Sequence, residues 1–356
     1  MCIRDSIGTP AIGNVDDDPD FEIVFSGYSN NNKLFAINYD GSDVEGFPLE
    51  LGEKVKTGVA LADFNNNGKD DIVLGTDNDH IYLIYDDGQI APGFPFLTTD
   101  KVQSAPSILD LNDENIIFSG CNDDNLYAIN SDGSLRFSMQ ASGKIQSSPS
   151  FLTHNEQVYI FFGTEDDFIY AVDQYGEAYS GWPLDLGGAV AGSVVFSDLD
   201  DDGEPEIIAS LDSGQLIAFH IDGSEYFPHL ITHDIPFTGS ATLADLDGDG
   251  DLEIFAGSTS NLAAIDVKDG GSSNGYWSTY RGNQLRNGYY ETDDSCGAAL
   301  GDVTGDGNIN ILDLVQIANL ILEVSIPAFE CAADFTSDGN VNILDLVQIA
   351  NYILDN

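Results

Sequence analysis

The sequence predicts a mainly β fold. It reads as a β-propeller of about six four-stranded blades, with a start that looks truncated, followed by a small C-terminal α-helical module. Three observations carry this. A unit of about 45 residues recurs six times across residues 7–293. Acidic loops with oxygen-bearing side chains at alternate positions recur within those units. Over residues 294–356 the β pattern stops and a loop-helix unit appears twice, at 301–322 and 333–354.

Each unit keeps one inner order. A small-residue strand opens it, as in Pro10-Ala11-Ile12, Val59-Ala60-Leu61, Pro106-Ser107-Ile108, Pro149-Ser150-Phe151, Val194-Val195-Phe196 and Ala241-Thr242-Leu243. An acidic loop follows, then a second strand such as Asp71–Gly75. The third strand alternates apolar and polar residues, as in His80–Tyr85. Asp-Gly pairs at Asp40-Gly41, Asp87-Gly88, Asp132-Gly133 and Asp222-Gly223 mark hairpin turns. A fourth segment carries Phe47-Pro48, Phe94-Pro95 or Trp182-Pro183. Proline there fits an outer edge strand, where a missing N–H costs least. The rungs of a parallel β-helix would be shorter than these units.

The chain has 356 residues, room for two or three domains. It carries 61 acidic and 11 basic residues, a net charge of −50, which excludes nucleic acid and anionic membrane as partners. The acids cluster in loops, which points to cation binding as well as solubility in a salty or extracellular medium. No run approaches the ~18 apolar residues of a membrane span. Residues 1–6 are polar and run straight into repeat sequence, so they read as a non-native start. The missing signal peptide then says nothing against secretion.

The repeat pattern over 7–293 resembles the FG-GAP/VCBS family of propellers, whose blades carry a D-x-D-x-D-G-x-x-D/E calcium loop. The third strand, as in Ile169–Asp173, also looks like a quinoprotein-type blade. The resemblance implies four loops with calcium ligands: Asp198, Asp200, Asp202 and Glu206; Asp245, Asp247, Asp249 and Glu253; Asp63, Asn65, Asn67 and Asp71, partly neutral; and Asn14, Asp16, Asp18 and Glu22, with Pro19 in place of glycine. The third loop (Asp110–Asn115) is short and the fourth repeat has lost the loop (Thr153–Glu156 stands there), so neither is expected to bind calcium. The aromatic segment Trp277–Tyr290 reads as a closing segment packed against the sheets, with a ligand platform as the alternative.

In the last module Asn310–Asn319 and Asn342–Asn351 share the ten letters NILDLVQIAN. The two loops offer Asp302, Thr304, Asp306, the Asn308 carbonyl, Asn310 and Asp313, and then Asp334, Thr336, Asp338, the Asn340 carbonyl, Asn342 and Asp345. An EF-hand loop ends in Glu and follows a full helix. These loops end in Asp and lack that helix. With the duplication, this resembles the type I dockerin over 294–356, a calcium-folded module that plugs into cohesin domains. A module this small needs metal to supplement its core. Asp313, Gln316 and Asn319 form one narrow polar stripe on the first helix, and the rest is apolar. The surplus implies a partner surface, including Ile311, Leu312, Ala318, Asn319, Ile343, Leu344, Ala350 and Asn351. Near-identical copies imply that the partner could bind either way round. Positions 10 and 11 of each loop, often small hydroxyl residues in cellulosomal dockerins, are Ile311-Leu312 and Ile343-Leu344, which implies a cohesin-like partner of another kind. The competing arrangement docks these helices on the chain's own propeller. Cys296 and Cys331 flank the module and could pair in an oxidising compartment.

No catalytic constellation stands out. The five histidines are spread over three repeats, with only His229-x-x-x-His233 near metal-ligand spacing. The reading is a non-catalytic, secreted or cell-surface calcium-binding protein. Its propeller is a binding or adhesion platform for a glycan or protein, and its dockerin is the tether. The alternative is the C-terminal part of a larger extracellular polysaccharide- or protein-degrading hydrolase.

Overall fold

The computed structural model describes residues 8–18, 20–28, 32–111, 114–155, 157–232, 235–292, 301–305, 308–322, 330–333, 335, 341 and 343–355, without the side chains of 227–232, 330, 331 and 355. The chain divides into two compact units, Met1–Glu291 and Thr292–Asn356.

The first unit holds six antiparallel sheets in chain order. Sheet 1 has β1 (Ala11–Gly13), β2 (Glu22–Ser26), β3 (Lys33–Ile37) and β4 (Leu49–Glu50). Sheet 2 has β5 (Ala60–Ala62), β6 (Asp71–Gly75), β7 (His80–Ile84) and β8 (Phe96–Leu97). Sheet 3 has β9 (Ser107–Asp110), β10 (Asn115–Gly120), β11 (Asn125–Asn130) and β12 (Leu135–Gln140). Sheet 4 has β13 (Ser150–His154), β14 (Gln157–Gly163), β15 (Phe168–Asp173) and β16 (Leu184–Asp185). Sheet 5 has β17 (Val195–Ser197), β18 (Glu206–Ser210), β19 (Gln215–His220) and β20 (Glu225–Thr232). Sheet 6 has β21 (Thr242–Ala244), β22 (Asp251–Gly257) and β23 (Leu262–Gly270).

Sheet 6 departs from the four strands expected of each unit. After β23 the chain turns, and Ser272 bridges Asp198 in sheet 5. The residues that would build an outer strand run instead along the first strands of the other sheets, ending in β24 (Tyr289–Glu291), which pairs in parallel with β9.

Local chemistry explains the repeat. The glycine of each Asp-Gly pair lies at positive φ, for example +84° at Gly41 and +80° at Gly88, as the hairpin turn demands. The glycine ending the second strand lets the next sheet approach: a Cβ on Gly75 would sit 2.3 Å from Val102, and one on Gly120 would sit 2.3 Å from Ile145. The small residues opening each unit put hydroxyls between sheets. Ser107 Oγ donates to Pro149 O at 2.7 Å, and Ser150 Oγ donates to Val194 O at 2.9 Å. Trp182 Nε1 donates across to Ile221 O at 2.9 Å.

Residues 276–291 form a tie. Phe196 N donates to Trp277 O, Leu243 N to Ser278 O, Ile12 N to Leu285 O, Leu61 N to Asn287 O and Ile108 N to Gly288 O, all at 2.8–3.0 Å. These five donors occupy the same place in five first strands, each opposite an isoleucine of the second strand. In sheet 4 the corresponding Phe151 packs its ring against Trp277 and Tyr290, and Thr153 N donates to Tyr290 Oη. The expected closing segment thus touches all six sheets. Arg281 lies within it, 1% exposed. Its Nη2 donates to Val59 O at 2.9 Å, and its Nη1 donates to Ser107 Oγ at 3.2 Å and to Ala105 O. Burial holds its pKa down to about 10, and charge is retained at neutral pH.

The second unit packs α1 (Ile311–Ile321) and α2 (Ile343–Asp355) around Val303, Ile317, Ala332, Ala333 and Ile349. Cys296 lies outside the described residues, as does the side chain of Cys331, so their pairing does too. No helix among the described residues is long and apolar enough to cross a membrane.

Replacing Arg281 by alanine strips partners from three buried acceptors. The Arg281→Ala protein should lose about 3 kcal/mol in urea unfolding. Arg136→Ala, which removes a surface pair with Glu114, should cost less than about 1 kcal/mol. Equal losses would show that Arg281 does not hold the sheets.

Candidate metal centres and the docking module

The acidic loops sit between the first and second strands of their sheets. In sheet 5 the loop curls around Asp198, whose carboxylate accepts from Asp202 N at 3.2 Å and Gly203 N at 2.9 Å. Gly203 makes the turn at φ +87°. Glu206 opens β18, is fully buried, accepts Leu199 N at 2.8 Å and faces His220 Nδ1 at 3.1 Å. Carboxylate oxygens of Asp198, Asp200 and Glu206 gather within 4.8 Å of one another. One Asp200 oxygen is buried without a partner. Burial, with Asp200, Asp202 and Asp198 nearby, pushes Glu206 up to about 8. Asp202 stands outside this group and accepts Glu204 N.

Sheet 1 repeats the arrangement with Asp16, Asp18 and Glu22. Glu22 is fully buried. One of its oxygens accepts Val15 N at 2.8 Å, and the other has no partner. Burial raises its pKa, and Asp16 and Asp18 add to the rise. Asn14 is turned elsewhere: its N donates to Asp70 Oδ2 and its Nδ2 donates to Gly68 O. Pro19 lies outside the described residues.

In sheet 6 two groups share Asp249. One is Asp245, Asp247 and Asp249; the other is Asp249, Asp251 and Glu253. Glu253 accepts Leu246 N at 2.6 Å. Asp251 was not among the expected ligands. Its oxygen Oδ1 is buried without a partner, and partial burial with Asp249 beside it holds the carboxyl up to about 6.

The sheet 2 loop satisfies itself. Asp63 accepts the N–H groups of Asn65, Asn67 and Gly68. Asn67 Nδ2 donates to Asp86 Oδ1 at 3.0 Å, and Asn65 Nδ2 donates to Asp71 Oδ1 at 3.4 Å. Lys69 Nζ lies 2.5 Å from Asp86 and 3.3 Å from Asp17 of the neighbouring loop. Asp71 is buried and pushed up to about 7 by that burial. Amides and a lysine therefore balance the charge of this loop. Asp110, in the short third loop, accepts from Tyr289 Oη. Among the described residues, the groups of three or more gathered ligands contain no histidine; of their members His220 meets Glu206.

In the C-terminal unit Asp313 knots the first loop together. It is fully buried: Oδ1 accepts Thr304 N at 3.0 Å and Thr304 Oγ1 at 2.8 Å, and Oδ2 accepts Asn310 N at 2.8 Å. Asn310 caps α1 by accepting Leu312 N at 2.9 Å. Asp302 is 3% exposed and accepts Thr304 Oγ1. Asn308 accepts Asn310 Nδ2 on its carbonyl. Asp306, Asp334, Thr336, Asp338, Asn340 and Asn342 lie outside the described residues, whereas Asp345 is fully buried. Outward, Ile311, Leu312, Ile343 and Leu344 are 57–62% exposed, joined by Val315 and Val347. Ala318, Asn319 and Ala350 are half-buried, and Asn351 is exposed. Val315, one turn after Ile311, belongs to the apolar surplus read from the sequence; Val347, one turn after Ile343, was not named there.

Residues 300–354 match the family model of the dockerin type I domain, and residues 198–256 match that of the FG-GAP-like repeat. Among solved structures, the V. cholerae biofilm matrix protein Bap1 is similar with a TM-score of 0.52 at 15% identity, over 73% of this chain and 53% of that one. BBS1N in complex with ARL6DN gives 0.49 at 14% identity, over 73% and 78%. BamB from Moraxella catarrhalis gives 0.45 at 12% identity, over 73% and 85%. At such identities a likeness concerns the fold alone. No curated protein matches the sequence. The chain thus carries an FG-GAP-like repeat in its β unit and a type I dockerin domain at residues 300–354.

Proposed function

We propose that this is a non-catalytic, extracellular or cell-surface docking protein that binds calcium and attaches through its dockerin to a cohesin-like domain. One observation carries the docking reading. Two near-identical helices turn the same apolar positions to solvent: Ile311, Leu312 and Val315 on one, Ile343, Leu344 and Val347 on the other. Contiguous exposed apolar surface marks interaction sites. The six sheets stand as propeller blades around the tie segment. The equivalence of the five amides that it accepts supports this arrangement. The β unit serves as the platform. A cleft of about 410 Å³ lined by Phe64, Asn65, Tyr85, Pro92, Ser131 and Asp132 offers aromatic and polar groups to a glycan or peptide.

Calcium fits the loops of sheets 1, 5 and 6 and the dockerin loops. Their ligands are all oxygen, and Glu22 and Asp200 each hold a buried oxygen without a partner. Bound calcium would neutralise carboxylates that burial otherwise disfavours. The sheet 2 loop needs it least.

Docking is tested by calorimetric titration of the chain with type I cohesin domains in calcium. The double variant Leu312→Asp, Leu344→Asp should bind at least about 100-fold more weakly. Each single variant should keep binding through the other helix. A double variant that binds like the parent would contradict the reading.

The carboxyls of Glu206 and Asp71 titrate higher when folded, about 8 and about 7, than the ~4 of an unfolded chain. A folded state that holds extra protons loses stability as pH rises through that interval. In chelator the melting temperature of the β unit should therefore fall from pH 5 to pH 8. Saturating calcium should remove the part due to Glu206 and leave the part due to Asp71, whose loop is satisfied by asparagines and Lys69. Parallel pH profiles with and without calcium would contradict calcium at the Glu206 loop.

A further inference from the structure

We infer that the outward faces of sheets 6 and 1 are covered, in the complete protein, by one further four-stranded sheet of the same repeat, supplied by polypeptide outside these 356 residues. The inference rests on the radial arrangement proposed above.

The repeat gives an internal standard. On sheet 2, the face turned to sheet 1 consists of Leu61, Ile72, Leu74, Tyr82 and Ile84, each at most 7% exposed. Strand register places Ile12, Ile23, Phe25, Phe35 and Ile37 at the same positions of sheet 1. All five are apolar, yet none is buried, and Ile23 is 37% exposed. Phe25 and Phe35 stack at 5.0 Å, as Phe162 and Tyr170 stack at the same cross-strand position of sheet 4. There the pair is 1% and 7% exposed.

The opposite end shows the matching defect. On sheet 5 the face turned to sheet 6 holds Val195, Ile208, Leu216 and Ala218, all at 0%. Their counterparts on sheet 6 are Thr242, Phe255, Leu262 and Ala264. Leu262 is 68% exposed, Ala264 is exposed, and Thr242 and Phe255 are half-buried. Among the described residues, the apolar clusters join sheets 1 to 2, 2 to 3, 3 through 5, and 5 to 6, but no cluster joins 6 to 1.

The tie segment shows the same gap. It meets sheets 5 and 6 at residues 277 and 278, and sheets 1, 2 and 3 at 285, 287 and 288. Successive sheets are one or two residues apart, except for the seven-residue step from Ser278 to Leu285. That stretch folds into two turns, closed by Gly282 N to Thr279 O and Arg286 N to Asn283 O. A first strand lying between sheets 6 and 1 would meet it there. The occupant is a sheet of this repeat because each bare face continues an interface that the repeat already forms between its other members.

Hydroxyl-radical footprinting tests this on two samples, the 356-residue chain and the full-length protein isolated from its source, with peptide mapping of the latter. In the 356-residue chain, Phe25, Phe35 and Phe255 should label about tenfold faster than Leu74 and Tyr82. In the full-length protein they should be protected, and the map should show one additional repeat. Protection of the three phenylalanines in a monomeric 356-residue chain would mean that sheets 6 and 1 close on each other. Protection with dimerisation would mean that a second copy covers them. Persistent labelling in the full-length protein, or a map without the extra repeat, would mean that no such sheet exists. Each of these overturns the inference. Labelling of Leu74 and Tyr82 would instead show that the radial arrangement itself is wrong.

Discussion

Five backbone N–H groups on five separate sheets point at one stretch of chain, and most of the first unit depends on their finding acceptors there. A buried amide without a partner costs as much as a lost hydrogen bond. The first strand of each sheet has a free edge, because its other edge pairs with the second strand. Carbonyls of Trp277, Ser278, Leu285, Asn287 and Gly288 occupy that free edge in turn. Arg281 extends the same logic with a side chain, because its guanidinium reaches carbonyls of sheets 2 and 3 at once. One segment remote in sequence from sheets 1 to 3 thus makes six local hairpin stacks interdependent.

Against that frame the acidic loops are local devices. Each joins two strands of one sheet, and each has its own way of handling charge. Sheet 2 uses Lys69 and two asparagines. Sheets 1, 5 and 6 leave carboxylate oxygens gathered and partly unpartnered, which is the condition that a hard cation relieves. In the C-terminal unit the same chemistry stands at the centre of a small core. There Asp313 ties loop to helix through three accepted bonds.

The strand order was legible because it is written in local signals: a small-residue strand, an acidic loop, an Asp-Gly turn and a proline-bearing edge. The dockerin loops were legible because ten letters repeat. Three things were not. The route of the tie segment is set by backbone carbonyls, which leave no residue pattern. The missing fourth strand of sheet 6 follows from the tie taking that stretch of chain. The balance of the sheet 2 loop depends on Lys69 reaching Asp86 and on Asp17 approaching from a neighbouring loop, contacts between residues far apart in sequence. Asp313 reads both as the last oxygen of its loop and as part of a polar helix stripe; it is fully buried and its carboxylate accepts three bonds from the preceding loop, so the loop position rather than the helix stripe sets its surroundings.

If the tie segment holds the β unit and the proposed calcium holds the C-terminal unit, amide hydrogen exchange with and without chelator separates the two. The amides of Ile12, Leu61, Ile108, Phe196 and Leu243 should stay protected and exchange together in chelator, while those of α1 and α2 lose protection. Loss of protection at the five inner amides on chelation, or undiminished protection of the helices, would contradict this account.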